Sequence, residues 1–381
     1  MTLQSLLAAY RAGATLPQGF YTQPEIFKRD IDLLAARWTC VGHASDIARP
    51  GDYMLADLAQ EQAIITRAAD GTVHAMANVC RHRGSRVCVK PRGRAQILTC
   101  PYHAWTYNLD GSLRQAQQMP DGFDPASHGL KKLPVEVVGG LIFVAFTGEP
   151  PALEPGAAAL AAMTTQFGWA DAKLAARKTY TVRANWKLAM ENYHECYHCG
   201  PAHPEFSVLH ALARPGARNI GARDVESWAA LADGREVYRV MRSVLSEGAE
   251  TGSKDGKPLA PLMGKAAWDG GIIFAELGFL SAFLAYPDHG LIYRFIPRET
   301  LLTEMEVLWL VRGDAEAGRD YDPEALTWLW DVTSLADKTI IERNQAGVLS
   351  RAYAPGPFSL MEPGTRQYVE RYVAEMQSLA A

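Results

Sequence analysis

The chain has 381 residues, of which 48% are hydrophobic and 21% are charged, and its formal net charge is −4. This composition is typical of a globular protein with two or three domains and argues against disorder. A slightly acidic chain without a basic patch is not typical of proteins that bind nucleic acids or membrane surfaces. Neither a bilayer-spanning apolar run nor a secretory signal is visible. Six cysteines are too few for a disulfide scaffold, so we expect a cytoplasmic protein.

The predicted type of secondary structure changes at Trp38. Residues 1–37 carry spaced apolar residues that predict short helices around a Pro/Gly break at 17–19. We expect this segment to pack on the larger, C-terminal domain. From 38 to 148, short β-rich runs alternate with turn residues, which predicts an all-β domain that ends with a buried strand at Leu141–Phe146.

Residues 149–381 mix helices and strands. Helical character at 185–198 should end at Gly200-Pro201. The segment 245–265 is rich in glycine and charged residues, which predicts a mobile loop and a candidate lid. Strand patterns return after Gly271, and a long helix is predicted from Pro323 to Val348. The fold class expected for the whole chain is therefore α+β, with an all-β domain followed by an antiparallel sheet flanked by helices.

Two short motifs, Cys80-Arg-His82 and Cys100-Pro-Tyr-His103, each offer one thiolate and one imidazole. Two hairpin-like loops of this kind can hold one metal cluster from opposite sides. Zinc uses the same donors, but zinc fingers usually combine a Cys–Cys pair with a His–His pair. Mixed pairs are the pattern of a Rieske [2Fe–2S] centre, in which two cysteines bind one iron and two histidines bind the other. Cys88, between the loops, is interpreted as structural.

A second cluster of histidines follows in Glu191-Asn-Tyr-His-Glu195-Cys-Tyr-His198-Cys-Gly-Pro-Ala-His203. One interpretation is the metalloprotease motif H-E-x-x-H, with His194 and His198 as zinc ligands and Glu195 as general base. The Gly-Pro break soon afterwards disfavours the continuous helix that such a protease needs. In the other interpretation His198 and His203 bind one metal, and Glu195, one helical turn before His198, accepts its spare ring N–H.

These motifs resemble the catalytic α subunits of the Rieske non-haem iron oxygenases, and the resemblance covers nearly the whole chain. It implies that Cys80, His82, Cys100 and His103 hold a [2Fe–2S] cluster and that His198 and His203 hold a mononuclear Fe(II). It also implies that Asn192 lies beside this iron, and that Glu195 bridges to a cluster histidine of a neighbouring subunit, by position His103. Cys196 and Cys199 are then expected to pack in the core, and His194 to be peripheral. The simpler alternative is a Rieske electron-transfer protein. This alternative gives no role to the second half of the chain.

A two-histidine iron site needs one carboxylate from elsewhere. The long predicted helix offers Asp331, Asp337 and Glu342, which lie on different faces, so spacing alone leaves the choice open. The segment Ala336-Asp-Lys-Thr-Ile-Ile-Glu-Arg-Asn-Gln345 resembles the ligand segment of the family, and this resemblance selects Asp337.

The cofactors and partners follow from the same resemblance. The sequence has no G-x-G-x-x-G motif after a strand, so NAD(P)H and flavin are expected only in a separate flavin and iron–sulfur reductase. The electron path between subunits implies a homotrimer. The remaining partners are O2 and a small-molecule substrate.

Three segments indicate the class of substrate. They are Glu191–Cys199, Asn344–Tyr353 and Pro355–Ser359. They resemble the branch of the family that demethylates quaternary ammonium compounds such as glycine betaine and proline betaine, with release of formaldehyde. An aromatic cage would suit such a cation. The candidates, each also typical of a packed sheet, are Phe274, Phe279, Phe283, Tyr286 and Tyr293. Because Ala275–Ala285 contains no tryptophan, hydroxylation or demethylation of an aromatic carboxylate stays open as the alternative.

Overall fold

The computed structural model describes residues 2–210, 238–264 and 270–379, together with the backbone of 224–226. The elements of the first 150 residues are α1 Leu3–Ala9, α2 Gly19–Thr22, α3 Pro24–Ala35, β1 Thr39–His43, β2 Asp52–Leu58, β3 Glu61–Arg67, β4 Val73–Ala77, β5 Arg92–Arg94, β6 Leu98–Thr99, β7 Thr106–Tyr107, β8 Leu113–Gln115, β9 Lys132–Leu133, β10 Val135–Val138 and β11 Leu141–Val144. The elements that follow are α4 Gly156–Gln166, β12 Ala172–Val182, α5 Trp186–Tyr193, α6 Cys199–Ala202, α7 Pro204–Leu209, β13 Asp224–Glu226, β14 Tyr238–Val244, β15 Gly271–Leu277, β16 Ser281–Ala285, β17 Gly290–Glu299, β18 Leu302–Arg312, α8 Pro323–Val348 and α9 Pro363–Ser378.

The predicted α+β class is confirmed. After α1–α3, the first half of the chain forms three small antiparallel sheets with the orders β5-β2-β3-β4-β9, β1-β11-β10 and β6-β7-β8. The second half is built on one antiparallel sheet with the order β12-β18-β17-β16-β15-β14-β13. Within the described residues, no helix is both long enough and apolar enough to cross a bilayer.

The large sheet is covered on both faces, so β16–β18 are buried over most of their length. Along β16, Ala282 and Leu284 point into the core that contains α5, α8 and α9. Their neighbours Phe283 and Ala285 point to the opposite core, which contains α4 and β11. The first face carries the candidate site, and the second joins the sheet to the N-terminal half.

Helix α8 has the predicted bounds. Asp322 caps it, since its Oδ1 accepts the Glu324 N–H at 2.8 Å, and Pro323 occupies the first helical position. The buried residues Trp330 and Ile341 lie on the face that packs against the sheet. A helix places residues at this spacing on one stripe, and Asp337 falls on it between them.

Helix α5 is shorter than the sequence predicts. Asn185 caps its start, since its side chain accepts the Lys187 N–H at 3.1 Å, but the helix ends at Tyr193 rather than at Gly200-Pro201. The prediction is wrong because the Glu195 carboxylate accepts the backbone N–H groups of residues 197 and 198, which stabilises a turn in place of a third helical turn.

The segment 245–264 is anchored to the sheet. Asp288, fully buried, accepts the Thr251 hydroxyl at 2.5 Å and the Leu259 N–H at 2.6 Å. These are the contacts of a packed segment and not of the mobile loop that its composition predicts. Residue 265 of that predicted loop lies outside the described residues.

The N-terminal helices are tied to α5 by a buried ion pair. Asp30 of α3 and Lys187 of α5 are in direct contact, and both are fully buried. The Asp30 carboxylate also accepts Trp186 Nε1 at 3.1 Å and the Tyr372 hydroxyl at 2.6 Å. A buried charge with this many partners holds three helices in one arrangement.

We expect Lys187→Met to lower the free energy of unfolding by about 3–5 kcal/mol, because it leaves the Asp30 carboxylate buried without its cation. Urea denaturation followed by circular dichroism measures the change. The matched control is Lys178→Met, which removes a half-exposed pair with Asp331 and should cost less than about 1 kcal/mol. Equal losses for the two variants would contradict this account.

A second buried contact between the N-terminal helices and α5 involves a carboxyl group that burial keeps protonated. Glu191 of α5 accepts the Tyr21 hydroxyl at 2.9 Å, and burial raises its pKa to about 8. In the unfolded chain the same group releases its proton near pH 4.5. Between these two values the folded state binds more protons than the unfolded state, so stability falls as the pH rises, by at most about 1.4 kcal/mol per unit.

Glu191→Gln should remove this pH dependence, because the amide is neutral at every pH and still accepts the tyrosine hydroxyl. Measured from pH 5 to pH 8, the variant should gain stability relative to the native protein as the pH rises. Glu370→Gln, at a half-exposed position on α9, should leave the pH profile unchanged. Parallel profiles for native protein and Glu191→Gln would refute the assignment.

Candidate functional site

The two Cys/His motifs form a pair of matched loops. In each, the residue four positions after the cysteine donates its N–H to the cysteine carbonyl, Gly84 to Cys80 at 3.0 Å and Ala104 to Cys100 at 3.1 Å. Both returning residues have left-handed backbones, with φ of +78° and +57°. The sharp reversal requires this conformation, which glycine adopts freely and alanine rarely does.

The four predicted cluster residues converge at the tips of these loops. Cys80 and Cys100 are buried, whereas His82 and His103 are exposed with their Nδ1 atoms 3.1 Å apart. Burial raises the pKa of the Cys80 thiol, and the Tyr107 hydroxyl, 3.2 Å from its sulfur, opposes the shift. Two thiols below two facing imidazoles are the donor set of a Rieske centre, so these residues fit that cluster.

A second group of donors meets between α5 and α8. His203 Nε2 lies 2.8 Å from Asp337 Oδ1, and His198 Nε2 lies 3.3 Å from the same oxygen. One donor atom from each of the three residues lies within 4.8 Å of the other two. Two imidazoles and one carboxylate in this arrangement fit a metal that keeps further positions open.

The structure distinguishes the three candidate carboxylates of α8. Asp331 binds Lys178 Nζ at 2.8 Å, and Glu342 accepts the Arg183 N–H at 2.9 Å, both away from the histidines. Only Asp337 of these three contacts His198 and His203.

Glu195 and Asn192 both contact His198. Glu195 Oε1 lies 2.5 Å from His198 Nδ1, and Asn192 Nδ2 lies 3.4 Å from His198 Nε2. Because a carboxylate only accepts, Nδ1 donates its hydrogen to Glu195, and Nε2 is the nitrogen that faces Asp337 and His203 and would bind a metal. The ring is thereby held in the tautomer that a metal ligand needs.

The electrostatics of the group favour a bound cation. Burial by itself would raise the pKa of Asp337, but hydrogen bonds and charge from His198 and His203 hold it below its usual value. Burial would lower the pKa of His198, but Asp337 and Glu195 raise it to about 9. The two carboxylates thus attract either protons or a metal ion at this point.

The metalloprotease interpretation fails on geometry. Helix α5 ends at Tyr193, so His194 and His198 do not share a helical face. His194 is buried against the Tyr368 ring, with centroids 4.3 Å apart, and its Nδ1 lies 3.1 Å from Glu276 Oε2. It is therefore not the peripheral residue that the family resemblance implies, and it does not join His198.

Cys196 and Cys199 form a disulfide on either side of His198. The family resemblance implies that both pack in the core, but only Cys199 is buried. The turn that ends α5 brings their Cα atoms to 4.9 Å, a separation at which a disulfide can form.

The donors His198, His203 and Asp337 open into a cavity of about 310 Å³, at the lower end of the range for small-molecule pockets. Its wall contains one of the five predicted cage aromatics, Phe274. The other four pack elsewhere; Phe283, for example, contacts Phe143 with a centroid distance of 6.1 Å.

The aromatic rings that sequence reasoning missed come from helices rather than from the sheet. They are Tyr193 of α5, Phe206 of α7 and Trp330 of α8. Trp330 precedes Asp337 by two helical turns, so the choice of Asp337 could have identified it. No pattern in the sequence indicates that Phe206 lines the cavity, because its position depends on the turn after α5.

Comparisons with known proteins agree with this arrangement. Residues 37–134 match the Rieske [2Fe-2S] domain, and residues 169–378 match the catalytic domain of ring hydroxylating alpha subunits. The chain is 36% identical to the glycine betaine monooxygenase oxygenase subunit of Chromohalobacter salexigens, over 96% of this chain and 86% of that protein. It is 37% identical to the carnitine monooxygenase oxygenase subunit of Acinetobacter baumannii, over 51% of this chain and 53% of that protein.

The fold is shared with solved structures as well. A crystal structure of a quaternary ammonium Rieske monooxygenase matches 99% of this chain and 98% of its own, with a TM-score of 0.77 at 24% identity. The resemblance predicted from the motifs is confirmed, and an electron-transfer protein without a catalytic domain is excluded. The chain belongs to the Rieske non-haem iron oxygenases, as a catalytic α subunit that receives electrons from a separate reductase.

Proposed function

We propose that this oxygenase hydroxylates an N-methyl group of a quaternary ammonium compound such as glycine betaine or proline betaine. In this proposal Cys80, His82, Cys100 and His103 hold the [2Fe–2S] cluster, and His198, His203 and Asp337 hold the mononuclear iron. The observation that carries the proposal is the aromatic wall in the same cavity as these three donors. Relatives named as oxygenase subunits of glycine betaine and carnitine monooxygenases support it.

The aromatic part of the wall brings Phe206 and Trp330 side by side. Phe206 lies 5.4 Å from Trp330 and stacks on His210 at 3.8 Å, measured between ring centroids. Burial lowers the pKa of His210 to about 4, so this imidazole is neutral at physiological pH. A trimethylammonium group has no N–H to donate, and cation–π attraction in a desolvated pocket binds it without one.

A mononuclear iron with open positions would supply the activation of O2. One oxygen atom is inserted into a C–H bond, and the other leaves as water after taking up two electrons from the reductase and two protons. Hydroxylation of one N-methyl group gives an N-hydroxymethyl product. Loss of its hydroxyl proton breaks the C–N bond, whose electrons stay on nitrogen, and releases formaldehyde and the tertiary amine. The cavity holds the cation, and Glu195 keeps the His198 ring in its ligand tautomer throughout.

The electron path is proposed to cross between subunits of a homotrimer. His82 and His103 are exposed, so the edge of the cluster domain is accessible to a neighbour. Glu195, beside His198, is the residue proposed to receive His103 of the next subunit. A cytoplasmic location forms part of the proposal, because the electrons originate from NAD(P)H in a reductase.

We expect Asp337→Asn to lose the mononuclear iron and keep the cluster. Metal analysis should give about three irons per native chain and about two for the variant, with the visible spectrum of the cluster unchanged. The matched control, Asp331→Asn on the same helix, should keep all three. Retention of the third iron in Asp337→Asn would contradict the ligand assignment.

Single turnover tests the reaction directly. Reduced, iron-replete protein given O2 and glycine betaine or proline betaine should yield about one formaldehyde per reduced iron site, with the demethylated amine. A different outcome would contradict the proposed substrate class. If no betaine yields formaldehyde and an aromatic acid gains an oxygen atom, the substrate is an aromatic compound instead.

The aromatic wall can be tested in the same assay. Trp330→Leu should weaken binding of the betaine about 10- to 30-fold, the equivalent of about 1.4–2 kcal/mol of lost cation–π attraction. Trp328→Leu, on the same helix beside Lys254, should change binding less than twofold. Equal effects would show that the wall does not hold the cation.

Glu195→Gln should slow reoxidation of the reduced cluster by substrate and O2 about 10- to 100-fold, because a partner of a ligand histidine is altered. Stopped-flow absorbance of the cluster measures this rate. Glu205→Gln, exposed at the start of α7, is the matched control and should react like the native protein. An unchanged rate in Glu195→Gln would exclude Glu195 from the electron path.

A further inference from the structure

The cavity has a charged wall beside its aromatic one. On neighbouring strands, Arg239 of β14 lies opposite Glu276 of β15, and Met241 lies opposite Phe274. All four residues line the cavity. Residues two apart on a strand point to the same face about 7 Å from each other. The ion pair therefore lies one strand step from the aromatic ring of Phe274.

Glu276 holds the guanidinium of Arg239 in the cavity wall. Arg239 Nη2 donates to Glu276 Oε1 at 2.7 Å, and the arginine side chain is only 11% exposed. Burial would raise the pKa of Glu276, but Arg239 and His194 lower it to about 2, so the carboxylate is ionised at any working pH. A guanidinium has five N–H donors, and a fixed one can bind a second carboxylate beside the first.

The start of α9 meets the same guanidinium. A Cβ at Gly364 would lie 2.6 Å from Arg239 Nη1 and would overlap the His194 carbonyl oxygen, so only glycine fits there. Pro363 and Gly364 both line the cavity. The Glu362 side chain does not cap the helix; its carboxylate accepts the Ser359 N–H instead. The N-terminal end of this 16-residue helix adds positive potential at the point where the arginine lies.

We propose that Arg239, positioned by Glu276 and assisted by the start of α9, binds the carboxylate of the substrate while the aromatic wall binds its ammonium group. This inference rests on the proposed function and narrows it. The substrate class is a trimethyl- or dialkylammonium carboxylate, and a quaternary ammonium alcohol such as choline is discriminated against.

Equilibrium binding to the oxidised holoenzyme tests this, with glycine betaine and choline as the two probes in titration calorimetry. The native protein should bind glycine betaine about 10- to 100-fold more tightly than choline, the range expected for a charge-assisted contact. The double variant Arg239→Gln/Glu276→Gln removes both charges without leaving one buried alone. It should bind glycine betaine 10- to 100-fold more weakly and choline within twofold of the native protein.

Two further variants complete the design. Arg239→Lys keeps a cation for Glu276 but loses the planar fork, so it should fold if the double variant does not, and should weaken glycine betaine alone. Arg366→Gln, half-exposed on α9, is the charge-matched control and should leave both affinities unchanged.

If folded Arg239 variants bind glycine betaine as tightly as the native protein, the ion pair is purely structural and the inference is overturned. An equal loss of affinity for glycine betaine and choline would overturn it as well. A native protein that binds neither probe would overturn the proposed function itself. The two failures are therefore distinguishable.

Discussion

The carboxylate of Asp337, which is only 14% exposed, is the constraint on which the site depends. A carboxylate on the core-facing stripe of α8 is costly unless cationic or hydrogen-bonding groups surround it. His198 and His203 supply them from a separate part of the chain, and this requires the backbone after α5 to turn back towards α8. The same three groups fit the donor set of a two-histidine, one-carboxylate iron site. A metal ion bound by them would stabilise the Asp337 carboxylate in the same way as the two histidines do.

Precise placement of the histidines depends on helix α5, which is held from the N-terminal side. The Asp30–Lys187 pair and the Tyr21–Glu191 hydrogen bond are buried contacts between the first 35 residues and α5. The N-terminal helices lie far from Asp337 in sequence. They nevertheless hold the helix that directly precedes His198 and His203, the two proposed ligand histidines. Their buried polar groups explain why a segment without cofactor ligands is part of the catalytic unit.

Much of the site was predictable from the sequence because its donors occur in short, chemically distinctive motifs. The spacing of Cys80, His82, Cys100 and His103 indicated the cluster, and the helix from Pro323 to Val348 was predicted over its observed range. The selection of Asp337 needed the family resemblance. The end of α5 was not predictable, because it depends on the Glu195 carboxylate bonding to its own backbone. The positions of Phe206 and Arg239 in the cavity were not predictable either, because they depend on tertiary contacts and on strand register.

We propose that one cavity holds a quaternary ammonium group against the iron. An anaerobic crystal structure of the reduced holoenzyme with glycine betaine tests this most directly. We predict a trimethylammonium group against Phe206, Phe274 and Trp330, with one methyl carbon facing an iron bound by His198, His203 and Asp337. Iron bound by other residues, or glycine betaine outside this cavity, would contradict the account.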